Sequence, residues 1–208
     1  MKKKFIAMML VLCIAGLSTG CVKIIDKGTE GQYTGKVKFD AAGSAEGLWE
    51  SVEADISDNA VELSTLLTEA GGKMSTVAEK YGVNGKNNFA VKGSGIVTIV
   101  DTSKSAGYIV VDLDDYDGSE EIRIQVGPTF KNKDALGDAQ TVTSFEDYTN
   151  QTEWGQVKDA LIENVKTHVT GDLDTENLEG KTIDFAGAFS ASAGSSEIQI
   201  IPISLTVQ

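Results

Sequence analysis

Between Ala90 and Asp101 the chain reads AVKGSGIVTIVD, a β-branched run with Gly93 and Gly95 in its interior. Such a run is a long strand, and its glycines let it bend sharply where a side chain would obstruct. A strand that bends along its length belongs to a curled sheet. Two strand-like segments follow, Tyr108–Leu113 and Glu121–Val126. In the second, Ile122, Ile124 and Val126 alternate with Arg123 and Gln125, the period of a half-buried strand. Asp117-Gly118 between them is a hairpin signal. The period then changes to helical over 150–170, where Trp154, Val157, Leu161, Val165 and His168 fall on one stripe. Asn150 is the expected N-cap, with Glu153 three residues on as in a capping box, and Gly171 marks the end. Strands at Lys181–Phe189 and Glu197–Val207 close the chain, and the apolar phase of the last slips beside Pro202, which predicts a bulge or an edge. The order β-β-β-α-β-β is that of an OB-fold barrel.

Upstream of residue 89 the pattern is helical. Leu48, Trp49, Val52 and Ile56 share one face, and Ala60, Leu63, Leu67 and Ala70 continue it in unbroken phase up to Gly71-Gly72. The phase favours one long helix, although Ser57-Asp58-Asn59 are cap-type residues that would split it. A shorter helix is predicted from Lys73 to Tyr81. The fold class is therefore α+β: a helical subdomain at 41–88 followed by an OB-like barrel domain at 89–208.

The N-terminus reads as an address. Lys2, Lys3 and Lys4 precede a 13-residue uncharged apolar run, Phe5–Leu17. Crossing a bilayer core takes roughly 20 helical residues, so the run suits a signal peptide and not a stable span. Ser18-Thr19-Gly20-Cys21 follows it and resembles a lipobox, with Ser18 where an aliphatic residue is usual. Residues 1–20 are thus the expected signal peptide and Cys21 the expected lipidation site. Residues 21–40 form a polar tether with a short strand near Lys36–Phe39. Cys13 lies inside the apolar run, so cleavage leaves no thiol for a disulfide.

Charge and composition narrow the chemistry. The chain has 18 basic and 31 acidic residues, and Arg123 is its single arginine. Loss of the three N-terminal lysines leaves 15 basic residues against 31 acidic ones, a net charge of −16. A chain this acidic, poor in guanidinium groups, is not expected to bind nucleic acid. His168 is the one histidine and no thiol nucleophile accompanies it, so no catalytic residue and no cofactor is assigned. His168 reads as structural, near the positive-charge-favouring C-terminus of its helix. Zinc and redox metals lack their His and Cys clusters. Calcium needs only oxygen, which makes Asp114, Asp115 and Asp117 its candidates, yet the stretch DLDDYDGSEE departs from the EF-hand pattern and reads better as solvated charge. Trp49, Trp154, Tyr108, Tyr116 and Tyr148 are of the type that stacks on sugars, and the two tryptophans read better as helix-face core.

Gln125–Ala139 (QVGPTFKNKDALGDA) and Ser144–Val165 (SFEDYTNQTEWGQVKDALIENV) together resemble a family of uncharacterised predicted periplasmic lipoproteins. Gly127-Pro128, Ala135-Leu136, Asp138-Ala139, Phe145, Asp147-Tyr148 and Asn150-Gln151 carry the resemblance. Lys133-Asp134 stands where the family pattern has Gly-Thr, and Gly137 where it has an arginine. The resemblance implies an accessory envelope role beside sugar ABC-transport components and assigns no biochemical activity. The resulting expectation is a lipid-anchored extracytoplasmic accessory protein without enzymatic activity, bound to the membrane through Cys21 and partnering envelope transporter components. The alternative is a lipoprotein that binds a small ligand, a sugar or calcium. Asn150, Gln151, Tyr148 and Asp138 are the candidate ligand or partner surface.

Overall fold

One strand organises the molecule. In the computed structural model, which describes residues 38–192 and 194–208, β2 (Asn88–Asp101) pairs antiparallel with β5 (Thr182–Ser190) from Asn88↔Ser190 to Ile96↔Thr182. On its other edge it pairs antiparallel with β3 (Tyr108–Leu113) from Gly95↔Leu113 to Asp101↔Tyr108. β3 pairs with β4 (Glu121–Gln125), β4 runs parallel to β6 (Glu197–Val207), and β6 returns antiparallel to β5. The circuit β2-β3-β4-β6-β5-β2 is a closed barrel, the OB-like arrangement expected from the element order. The two pairings of β2 overlap at Gly95 and Ile96. A Cβ on Gly95 would lie 2.3 Å from the Asp112 carbonyl oxygen, so no other residue fits that close approach. The slip beside Pro202 is a bulge: Gly187 pairs with Pro202 and Ala186 with Ser204, skipping Ile203. Gly187 faces it, and a Cβ there would lie 2.3 Å from the Ile201 carbonyl oxygen.

The helical region departs from the single long helix that the phase favoured. α1 (Ala41–Asn59) starts on Asp40, whose carboxylate accepts the Gly43 N–H at 3.0 Å, and ends at an extended Ala60. A two-residue strand, β1 (Val61–Glu62), then pairs parallel with β2, and α2 (Leu63–Ala70) follows. The cap-type residues win because Asn59 turns back to bond the Asp55 carbonyl and carboxylate. The common phase survives since each helix buries a face, but against different partners. α2 places Leu63, Leu66 and Leu67 in the barrel-interior cluster with Phe89, Ile109, Ile124, Ile183 and Phe189. The helix predicted at 73–81 shrinks to a 3-10 turn and α3 (Ala78–Tyr81).

After β4 come α4 (Asp134–Asp138), which the sequence did not announce, and α5 (Gln151–Val165). α5 continues into a π-helical turn, Lys166–Thr170. α1 and α5 pack on each other and on the outer face of β5 and β6. Between them lies a second core that includes Trp49, Val52, Ile56, Trp154, Leu161, Ala188, Ile201 and Ile203. Residues 40–208 pack as one unit, and the helices of the 41–88 stretch are part of it. β3 and β4 form the expected hairpin, although residues 114–120 make a seven-residue loop in place of a tight turn at Asp117-Gly118, and its positive φ falls on Asp115. The signal segment, Cys13, Cys21 and the tether up to residue 37 lie outside the described residues; Lys38 and Phe39 are described and belong to no strand.

Candidate functional site

Asn150 is extended, at φ −162°, and its side-chain oxygen accepts the N–H groups of Thr152 and Glu153, both at 3.0 Å. It is the N-cap of α5. Glu153 reaches back to the N–H of Thr149 at 3.0 Å, one residue before the position a capping box uses. Gln151 is exposed in the first helical turn. Tyr148 stacks on Trp154 with ring centroids 5.3 Å apart, and its hydroxyl lies 3.1 Å from Thr143 Oγ1. The buried Thr143 is held by Gln140, also buried, which accepts its N–H at 2.9 Å. Asp147 accepts from the Ser144 N–H at 2.8 Å; this bond and that from the Thr143 hydroxyl hold its carboxyl below the usual range. The structure thus brings Tyr148, Asn150 and their neighbours into one hydrogen-bonded loop that seats α5 on the second core.

Asp138, at the end of α4, stands apart from that loop. Its carboxylate lies 3.7 Å from Lys158 Nζ, which also pairs with Asp134. Gly137 makes room for this lysine, since a Cβ there would lie 2.5 Å from Lys158 Cδ.

Asp114, Asp115 and Asp117 sit exposed on the β3–β4 loop. Among the described residues, no group of three or more His, Cys, Asp or Glu side chains comes together as a metal site. The three aspartates are spread along the seven-residue loop between β3 and β4. The aromatic side chains are engaged within the fold. Trp49 and Trp154 are buried, Tyr148 stacks, and Tyr108 lies under the Arg123 guanidinium at 4.3 Å. Tyr116 donates to Glu120; burial raises its pKa first and that bond adds to the rise.

Two features escaped sequence reasoning. The first is an outward row across the barrel. Interior Ile109, Ile124 and Ile200 alternate with outward residues, and the register aligns Ile99, Val110, Arg123 and Gln199 on neighbouring strands. Ile96 and Ile99 are 46% and 49% exposed there. Arg123 is pinned between Glu121 and Glu197, the latter at 2.8 Å. The second is the environment of His168. Its ring stacks on Trp49 with centroids 5.4 Å apart, and Nε2 lies 3.4 Å from a Glu46 carboxylate oxygen. Both residues are visible on their helix stripes; their meeting across more than a hundred residues is not.

Among the described residues no helix is long and apolar enough to cross a membrane. A family model for a domain of unknown function, described as predicted periplasmic lipoprotein (DUF2291), matches residues 10–206. The chain is similar to a crystal structure of an OB-fold protein from Thermotoga maritima at 16% identity and a TM-score of 0.64, covering 82% of this chain and 99% of that one. No curated protein sequence matches significantly.

Proposed function

The chain belongs to the family of predicted periplasmic lipoproteins, and from that premise we propose that it is a non-enzymatic accessory protein, anchored through lipidated Cys21. Its task is to dock on a component of an envelope system, of the kind that takes up sugars. Exposed Ile96 and Ile99 on β2, on the same outward row as Arg123 and Gln199, carry this reading. α1 and α5 cover the outer face of β5 and β6, whereas this row presents two half-exposed isoleucines beside a pinned arginine. Apolar side chains rimmed by fixed charge are the composition of a docking surface. The motif residues favour the same reading, because Tyr148, Asp147 and Asn150 are occupied in the hydrogen bonds and ring contact that hold the loop and α5. His168 likewise faces Glu46 and Trp49.

The anchor is tested by labelling cells with a radioactive fatty acid: wild type takes up label and Cys21→Ser does not. Equal labelling of the two proteins refutes the anchor. The docking face is tested with a photo-crosslinking residue at position 99 in living cells. The expected product is a discrete adduct with an envelope protein, abolished by Ile96→Ser while membrane attachment and melting temperature stay as in wild type. A monosaccharide or calcium that stabilises the purified protein by about 2.7 kcal/mol at about 100 times its Kd would return the small-ligand reading in its place.

A further inference from the structure

The face of α1 that meets the π-helical turn borders an open surface groove of about 190 Å³, lined by Trp49, Glu53, His168, Ile203, Ser204 and Thr206. Two irregularities shape it. The π turn Lys166–Thr170 brings His168 over the Trp49 indole, and the bulge at Pro202–Ile203 resets the phase of β6 beside it. π turns inserted at helix ends recur at functional sites. The volume is below the 300 Å³ or so at which drug-sized ligands begin, so the occupant is small.

The chemistry of the walls selects the charge of that occupant. Glu53 is half-buried and, among the described residues, its carboxylate has neither a hydrogen-bond nor an ion-pair partner. Glu46, two helical turns earlier on the same stripe, is engaged by His168 at 3.4 Å. Among the described residues no lysine or arginine lines the groove, and the chain carries 31 acidic residues against 18 basic ones. A half-buried carboxylate without a partner is compensated best by a charged donor, since charge-assisted bonds are about twice as strong as neutral ones. A metal ion is a poor fit, because Glu46, Glu53 and His168 do not come together as a ligand set. The groove floor rests on buried Trp49 and Ile203, and its accessible lining is polar, with the Ser204 and Thr206 hydroxyls beside Glu53, which suits a small occupant ending in an N–H donor. We infer that the Trp49–Glu53–His168 groove binds a small organic cation bearing a primary ammonium group, which donates to the Glu53 carboxylate. Such binding requires neither the anchor nor the docking face.

The test uses the full-length protein in detergent and the single histidine as reporter. The His168 imidazole NMR resonance is followed during titration with ethylammonium and with putrescine, with glucose and with sodium chloride at matched ionic strength as controls. The expected result is a saturable shift with the two amines alone. Glu53→Gln should bind them up to about fivefold more weakly, the upper range of a partly exposed ion pair, while its melting temperature without amine stays as in wild type. Glu50→Gln removes the same charge from an exposed position of α1 outside the groove and should bind like wild type. The inference is overturned if neither amine moves the resonance, if glucose or salt moves it equally, or if Glu50→Gln weakens binding as much as Glu53→Gln.

Discussion

The molecule has two cores built on opposite faces of the same strands, and they are held differently. The barrel interior is closed by backbone ladders around its whole circumference and filled by large apolar side chains, with Phe89 stacked on Phe189 at 5.2 Å and α2 as its helical contribution. The second core has a ladder on one side only. On the other, α1 and α5 depend on side-chain packing, on the Asn150 cap and on the Gln140–Thr143–Tyr148 loop. It also holds both tryptophans and borders the His168 groove. A closed ladder distributes stability over every strand, whereas a packed helical layer rests on a few contacts. The barrel is therefore expected to open only globally and the helical layer locally.

Truncating Phe89 tests the first half of that contrast. Phe89→Ala should cost about 3–5 kcal/mol in urea unfolding and accelerate hydrogen exchange everywhere. Leu161→Ala, in the second core, should cost about 2–5 kcal/mol but raise exchange chiefly in α1 and α5. If its exchange pattern matches that of Phe89→Ala, the two cores are one cooperative unit and the contrast is lost. Gly187→Ala sharpens the comparison, because that glycine sits in the ladder that both cores share. Its Cβ would meet the Ile201 carbonyl oxygen at 2.3 Å, so a loss of about 1–3 kcal/mol and a displaced bulge are expected. A melting temperature like that of wild type would show that the bulge yields freely.

Asn150→Ala should cost about 1 kcal/mol, read as a drop of a few degrees in melting temperature. Asn150→Asp or Asn150→Ser should be nearly neutral, and Gln151→Ala without effect. Should Asn150→Ala melt like wild type, the helical layer does not depend on its cap. The smallest effect concerns Asp147. Its folded pKa is held below the usual 3.8, chiefly by the Ser144 N–H, so its contribution is present above 3.8 and lost as pH falls through the lower folded value. The stability difference between wild type and Asp147→Asn should accordingly shrink in acid. A difference that grows below pH 3.8 would contradict the assignment.

Legibility follows the range of the interaction. Asn150 is readable as a cap because its partners lie two and three residues on. The close approach at Gly95 is readable because glycines inside a β-branched run mark a place where a neighbouring backbone comes close. The break at Ala60 is visible in Ser57-Asp58-Asn59 and is outweighed by an apolar phase that both helices share. α4 is five residues long, too short to show a period, and the β3–β4 turn is looser than Asp117-Gly118 suggests because Asp115, not Gly118, takes the positive φ. Of the candidate surface, Tyr148 and Asn150 stand out in the sequence, but whether they face outward or inward is a property of packing.

By itself the sequence determined the class of fold, the cap of α5, an irregularity near Pro202 and the acidic, arginine-poor composition. Each depends on periodicity, on steric tolerance or on composition, all of which act within a few residues or on the sum of the chain. Only the tertiary structure decided that α2 enters the barrel while α1 covers its outside, since equal apolar stripes carry no mark of which face of a sheet they will meet. It alone decided that Ile99, Val110, Arg123 and Gln199 form one row, that Lys158 stands beside Asp138, and that His168 closes over Trp49 next to Glu53. These are juxtapositions of residues remote in sequence, and strand register and helix packing set them.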